Sequence, residues 1–179
     1  MQSQQIEIEV LIDRCRVGER KAQELLYRHL YDFALTVAMR YSRDEADAAD
    51  IMSHAFVKIF KSINNYDSDK GIFHAWVKRI IINEGLDHIK SRNCFDEVEL
   101  EKAEPPAVSN LAVQNIAAKE LMMQIRKLPP ATHAVFIMYV VDGFNHREIA
   151  ERLHISEGTS KWHLSEARRL LQQNLLTYR

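Results

Sequence analysis

The segment that most clearly carries chemistry lies in the last part of the sequence. Residues 157–171 have apolar side chains at helical spacing, and a wheel at 100° per residue separates two faces. The side that we expect to be buried holds Ser160, Leu164, Ala167 and Leu171. The opposite side and its flanks hold small, hydroxyl, aromatic and charged residues: Gly158, Thr159, Lys161, Trp162, Ser165, Glu166 and Arg169. Hydroxyl and cationic groups on one helix face suit contacts to the phosphates and base edges of DNA.

The residues before this helix predict a helix-turn-helix. A short helix is expected from His146 to Leu153, and Ser156 can accept a backbone N–H as the N-cap of the next helix. Such a unit lets a rigid second helix enter the major groove, which makes Ser156 a further candidate DNA contact. An ordinary helical hairpin is the alternative. Trp162 also has two interpretations, since it could pack on a thymine methyl or sugar, or cover another part of this protein.

The sequence lacks the patterns that are typical of catalysis or metal binding. Its 8 histidines are scattered, and it contains no HExxH, no CxxC pair and no glycine-rich phosphate loop. We therefore expect no catalytic residue, no metal site, no cofactor and no enzymatic activity. The two cysteines, Cys15 and Cys94, are more typical of a reducing compartment than of a disulfide framework.

Composition and periodicity predict an all-α protein. The 179 residues include only 5 glycines and 4 prolines, and apolar residues recur at helical spacing. Ser42 is expected to be the N-cap of a helix that continues to about residue 60. The other helices are predicted at about 7–16, 20–41, 72–91, 112–128, 131–142, 146–153 and 157–176.

Two small helical domains are expected, because the apolar periodicity lapses between two helical parts. Residues 93–111 hold five acids, one lysine and two adjacent prolines, which is typical of a linker. We predict domains at 1–92 and 112–179, joined by this short acidic linker. The segments 58–92 and 112–179 each carry a net charge of +3. They could be two surfaces for a polyanion, or chance variation among solvated helix faces.

Neither a membrane span nor a secretory signal is predicted. The longest apolar run, residues 134–141, is too short to cross a bilayer. The first ten residues lack the basic and apolar regions of a signal peptide. We expect a cytoplasmic protein with no membrane insertion.

Motifs in both halves of the chain have the order and spacing of a known family. The first half contains AADIM and FVKIF within residues 48–60 and FHAWVKRI at 73–80. The second half contains DGF and EIA within 142–150 and GT at 158–159. Together they resemble conserved regions 2 and 4 of bacterial RNA polymerase sigma factors of the sigma-70 family, extracytoplasmic-function (ECF) group.

The resemblance implies a role in transcription initiation. A region-2-like domain would bind core RNA polymerase and read the −10 element of a promoter, and the helix-turn-helix would read the −35 element as duplex. The polymerase contacts implied by the resemblance are Asp47, Asp50, Ile51, Ser53, His54, Phe56 and Val57. The implied −10 contacts are Asn64, Asn65, Tyr66, Lys70, Arg79, Asn83, Lys90 and Arg92.

The chemistry of the implied −10 contacts is compatible with single-stranded DNA. Arg79, Asn83 and Lys90 share one polar stripe of the predicted helix, with Trp76 at its edge. In the turn before it, asparagine amides could read a base edge and Tyr66 could stack on a base. The alternatives are a plain solvated turn, and core packing for Trp76.

Some residues depart from the family pattern. Ser53 and His54 stand where Gln and Glu are frequent, and His133 stands where Arg is common. His154 takes a turn position usually given to glycine, which costs strain if its φ is positive. By resemblance, the expected partners are core polymerase, promoter DNA and an anti-sigma factor or other regulatory protein. A helix-turn-helix regulator that acts independently of polymerase is the alternative function.

Overall fold

All regular secondary structure is helical in residues 2–93 and 114–177, the part of the chain that this computed structural model describes. The all-α prediction is therefore confirmed. The helices are α1 (Gln2–Arg16), α2 (Arg20–Tyr41), α3 (Glu45–Ser62), α4 (Phe73–Asn93), α5 (Gln114–Arg126), α6 (Pro130–Phe136), α7 (His146–Leu153) and α8 (Glu157–Thr177). The linker predicted at 93–111 lies outside the described residues from Cys94 onward.

The chain divides into two compact units, Met1–His88 and Ile89–Arg179, so that the division falls inside α4. This agrees with the expectation of two small helical bodies. None of the described helices is long and apolar enough to span a lipid bilayer.

In the first unit, α2 packs against both α1 and α3. Its apolar stripe is buried along nearly its whole length, from Ala22 to Tyr41. The predicted bounds of α2 match those observed, because Gly18 (φ 79°) turns the chain before it and Ser42 leaves the helix with extended dihedrals.

The N-cap predicted for α3 was wrong. Ser42 donates its hydroxyl to the Met39 carbonyl oxygen at 3.3 Å, and it belongs to the end of α2. Asp44 is the cap of α3, since its carboxylate accepts the Asp47 N–H at 2.8 Å. A carboxylate at this end also interacts favourably with the helix dipole.

Helix α4 lies close against α2 at a glycine. A Cβ atom on Gly85 would stand 2.6 Å from the Tyr41 Cβ and 2.9 Å from its Cγ. These atoms are adjacent to the backbone, so they cannot swing away. The absence of a side chain at Gly85 therefore sets the distance between the two helices.

In the second unit, α6 and α7 pack against α8. Helix α6 begins at Pro130, one residue before the predicted start, and then widens into a π-helical turn over Ile137–Val141. The Asp142 N–H donates to the Ile137 carbonyl oxygen at 3.0 Å, and Gly143 (φ 77°) ends the segment. The sequence predicted one uninterrupted helix over 131–142, because a π turn leaves no periodicity signal over so few residues.

We predict that Gly85→Ala destabilises the first unit. Overpacking should cost about 1–3 kcal/mol, more than the roughly 1 kcal/mol that alanine gains over glycine in a helix. Urea unfolding followed by circular dichroism measures the difference. Gly158→Ala is the matched control, since its Cβ would meet only the Ser156 Oγ at 3.5 Å. The account of this helix contact is contradicted if both variants are as stable as the parent chain.

Candidate nucleic-acid interface

Caps define both ends of α7 and the start of α8. At the start of α7, Asn145 and Glu148 form a reciprocal capping box, with N–H to side-chain oxygen distances of 3.0 and 2.8 Å. The helix ends at His154 in the left-handed conformation (φ 57°), as anticipated from its glycine-like position. Ser156 then caps α8 by accepting the Thr159 N–H at 2.9 Å. The predicted helix-turn-helix geometry is therefore present.

Two hydrogen bonds hold α8 on its scaffold. The fully buried Ser160 hydroxyl lies 2.9 Å from Nδ1 of His146, whose ring stacks on Tyr139 with a 4.6 Å centroid separation. Nδ1 of His163 lies 3.0 Å from the Thr132 hydroxyl on α6. Burial lowers the pKa of His163, which favours the neutral ring at that position. These polar contacts determine which side of α8 faces inward.

The inward side of α8 is the predicted one. Ser160 and Ala167 are fully buried, and Leu164 and Leu171 are nearly so. The opposite side is exposed along the helix at Gly158, Lys161, Trp162, Ser165 and Arg169. Thr159 is half-buried, and its hydroxyl lies 2.8 Å from that of Ser156. The structure therefore brings five of the seven predicted duplex contacts to one solvent-facing side of α8, with Thr159 at its flank and the exposed Ser156 at its N-cap.

Trp162 is 60% exposed, which is unusual for an indole. The ring of the adjacent His163 meets the indole in a T-shaped contact at 4.9 Å, and His163 is itself held by Thr132.

Arg169 on the same face already has partners. Its Nε donates to the Glu166 carboxylate at 2.8 Å and its Nη1 donates to the Gln173 side chain at 3.0 Å. The hydrogen bond from Arg169 lowers the pKa of Glu166, so this acid stays ionised at neutral pH. An anion that binds Arg169 must compete with that carboxylate.

In the first unit, the turn between α3 and α4 is wound as two 3₁₀ turns, Ile63–Asn65 and Ser68–Lys70. Asn64, Asn65 and Lys70 are exposed, and the Lys70 ammonium pairs with Asp67 at 3.1 Å. The Asp67 carboxylate also accepts the Asp69 N–H at 3.0 Å. The turn is thus internally bonded rather than plainly solvated.

The structure corrects the expectation that Tyr66 stacks on a base. Its side chain is 9% exposed, and its ring packs against Phe73 and Trp76 with centroid separations of 4.9 and 5.7 Å. Its hydroxyl donates to the Gly71 carbonyl oxygen at 3.1 Å. Tyr66 therefore supports the turn from inside, and Trp76 is half-buried in the same aromatic cluster.

Helix α4 presents the predicted polar stripe. Arg79, Asn83 and Lys90 are exposed at positions four and seven residues apart, which places them on one side of the helix. Arg92 lies in the last turn of α4, and its side chain is outside the described residues. On the other side, buried Glu84 forms an ion pair with Lys58 of α3.

Helix α3 carries the residues that the resemblance assigned to polymerase, and they divide between its two faces. Asp50, Ser53, His54 and Val57 are exposed. Ile51 and Phe56 are 1% and 4% exposed, so the expectation that they contact a partner directly is corrected. They lie on the apolar stripe that packs in the core. Asp47 is also largely buried, and it accepts hydrogen bonds from the Arg43 N–H and Nε.

The anchoring residues of α8 were not identified from the sequence. His146 and Ser160 are 14 residues apart and Thr132 and His163 are 31 apart, so no local spacing connects them. The one signal was Ser160, a polar residue on a face predicted to be buried. A buried hydroxyl needs a partner, but the sequence does not say which residue supplies it.

Clusters of three or more His, Cys, Asp or Glu side chains that could hold a metal ion do not occur in residues 2–93 and 114–177. The surfaces described above are built from polar, cationic and aromatic groups.

Comparison with known proteins matches two family profiles to this chain. Sigma-70 region 2 matches residues 26–94, and Sigma-70 region 4 matches residues 118–171. The first range contains α3, the turn and all of α4, and the second contains the helix-turn-helix.

Curated relatives agree with these profiles. The ECF RNA polymerase sigma factor SigE of Mycolicibacterium smegmatis is 26% identical over 85% of this chain, and the match spans 60% of that relative. The ECF RNA polymerase sigma-E factor of Escherichia coli is 22% identical over 97% of this chain and 96% of its own length.

The fold is similar to that of solved structures. The sigma factor RpoE of Bartonella quintana, solved with the anti-sigma factor NepR, is 20% identical, with a TM-score of 0.55 over 87% of this chain and 98% of that chain. CnrH, solved with the cytosolic domain of CnrY, gives a TM-score of 0.51 at 20% identity over 94% of this chain and 96% of that chain. The sequence profiles, the relatives and the fold agree, and the chain belongs to the sigma-70 family, in its extracytoplasmic-function group.

Proposed function

We propose that this chain is an alternative sigma factor that binds core RNA polymerase and directs it to specific promoters. The observation that carries the proposal is the outward face of α8. Exposed cationic, hydroxyl and indole groups stand there on a helix whose rotation is fixed by buried hydrogen bonds. Family membership places this face in a protein that serves transcription initiation.

The outward face of α8 is proposed to read the −35 element as duplex. Lys161 and Arg169 supply charge for phosphates, and Ser165 and Trp162 lie between them to meet base edges. Helix α4 and the turn before it are proposed to engage the −10 element, with Asn64, Asn65 and Lys70 on the turn. The stripe through Arg79, Asn83, Lys90 and Arg92 would follow the backbone of a single strand.

The exposed side of α3 is proposed to bind core polymerase through Asp50, Ser53, His54 and Val57. The proposed domain boundaries are 1–92 and 112–179, with the acidic segment 93–111 between them. An anti-sigma factor is a proposed regulator, which is supported by the structure of similar fold that was solved with the anti-sigma factor NepR.

Footprinting of one promoter tests this function against a regulator that acts without polymerase. Core polymerase plus this chain should protect the −35 duplex and make the −10 element reactive to permanganate, a probe of unpaired thymines. Core polymerase alone and the chain alone should each fail to give −35 protection together with −10 reactivity. A palindromic footprint that the chain produces alone, unchanged by core, would instead favour an independent dimeric regulator.

Charge on α8 should tune duplex affinity in both directions. Glu166→Gln removes the anion that competes for Arg169, so we expect about threefold tighter binding to the −35 duplex. Lys161→Ala removes one phosphate contact, so affinity should fall and the slope of log K against log salt should decrease by about 1. Fluorescence anisotropy across a salt series measures both. Affinities and slopes that match the parent chain would remove this face from the interface.

Trp162 is proposed to pack on a thymine methyl group of the −35 element. Replacing the contacted thymine by deoxyuracil removes only that methyl, so binding should weaken about fourfold, as expected for roughly 0.8 kcal/mol per buried carbon. Trp162→Ala should weaken binding to the thymine duplex and be insensitive to the exchange. Thymines elsewhere in the duplex serve as controls. Equal sensitivity of the parent and the variant at every thymine would contradict the contact.

A further inference from the structure

Helix α1 is tied to the turn between α3 and α4 by one arginine. Nη2 of Arg16 donates to the Tyr66 carbonyl oxygen at 2.7 Å, across 50 residues of sequence. Its Nη1 donates to the Asp13 carboxylate at 3.0 Å, which orients the guanidinium from within α1. Arg16 precedes the residues matched by the region 2 profile, which begin at residue 26. Nothing in the family resemblance therefore assigns it a role.

The residue that Arg16 holds is the centre of the turn. The Tyr66 N–H donates to the Ile63 carbonyl oxygen at 3.2 Å, and its hydroxyl donates to the Gly71 carbonyl oxygen at 3.1 Å. Its ring packs on Phe73 at the start of α4. With Arg16 on its carbonyl, every polar group of Tyr66 is bonded and its ring is packed.

Burial reinforces these bonds. Desolvation raises the pKa of Tyr66, so its hydroxyl remains a neutral donor to Gly71. The hydrogen bond from Arg16 is partly buried and has a charged donor, which makes it stronger than a neutral bond.

Arg16 acts on the exposed side chains only through the backbone. Asn64 and Asn65 come just before Tyr66, and Lys70 comes just before Gly71. The Tyr66 N–H bonds to Ile63 before this segment and its hydroxyl bonds to Gly71 after it, so a Tyr66 held by Arg16 tethers both ends of the segment that carries these three side chains. A segment ordered before it binds loses less conformational entropy on binding.

We propose that Arg16 is a positioning residue for recognition of the −10 element. Helix α1, through Arg16, holds the turn of residues 63–71 in the conformation that receives unpaired −10 bases. This inference rests on the proposed function of the turn.

The test compares Arg16→Ala with Arg14→Ala in holoenzyme reconstituted from core polymerase and the full chain. Arg14 is the matched control, since it is an exposed arginine of the same helix whose guanidinium pairs locally with Glu19. Two affinities are measured for each holoenzyme. One is for a labelled single strand carrying the −10 sequence of a promoter that the parent recognises, and the other is for the −35 duplex of that promoter.

We expect Arg16→Ala to lose about tenfold in affinity for the −10 strand, the effect of one hydrogen bond with a charged donor. Its affinity for the −35 duplex should not change. Arg14→Ala should match the parent chain for both DNAs. Arg16→Lys, which keeps a cation and a donor, should recover part of the loss. Hydrogen exchange of amides in residues 64–71 should be faster in Arg16→Ala and unchanged in Arg14→Ala.

Three outcomes would overturn the inference. Equal −10 affinities for Arg16→Ala and Arg14→Ala would remove the positioning role and leave the proposed function intact. Parallel losses for the −10 strand and the −35 duplex would show a general folding defect instead. If the parent holoenzyme does not distinguish the −10 strand from a scrambled one, the proposed function of the turn fails together with the inference.

Discussion

In the second unit, the rotation of α8 about its own axis depends on one requirement: a buried hydroxyl must be hydrogen-bonded. Ser160 is fully buried on the inner side of α8, and Nδ1 of His146 satisfies it at 2.9 Å. Rotating α8 by one residue would leave Ser160 without this partner in an apolar interface, at a cost of about 1–3 kcal/mol. The contact between His163 and Thr132 adds a second point of attachment on α6. The outward position of Lys161, Trp162 and Arg169 follows from these two inward bonds.

The first unit uses the same principle around a different residue. Tyr66 sits below an exposed turn and is bonded at its N–H, its carbonyl and its hydroxyl. Its neighbours Asn64 and Asn65 are therefore carried on a fixed backbone. In both units a buried polar residue positions exposed groups that it does not touch. Two exposed surfaces can thus be preorganised by a small number of interior hydrogen bonds.

The sequence was sufficient to predict helix bounds, caps and buried faces wherever residues close together in the sequence determine them. The bounds of α2 and α7, the capping serine of α8 and the buried stripe of α8 all followed from spacing, caps and glycine positions. The predictions were wrong where a contact between residues far apart in the sequence determines whether a side chain is buried. Tyr66 was expected to face outward, but Phe73 and Trp76 enclose it. Ile51 and Phe56 matched a family motif, yet they matched it as core residues of α3. The roles of Arg16 and His146 depend on partners 50 and 14 residues away, which no local pattern reveals.

The central claim is that this chain gives core polymerase its choice of promoter. Run-off transcription on a library of promoter fragments tests it most directly, with core polymerase alone and core polymerase plus the chain. We expect transcripts that require the chain and start at a defined distance downstream of a shared sequence element. If a core preparation that is active with another sigma factor yields no chain-dependent transcript from any fragment, the account is contradicted.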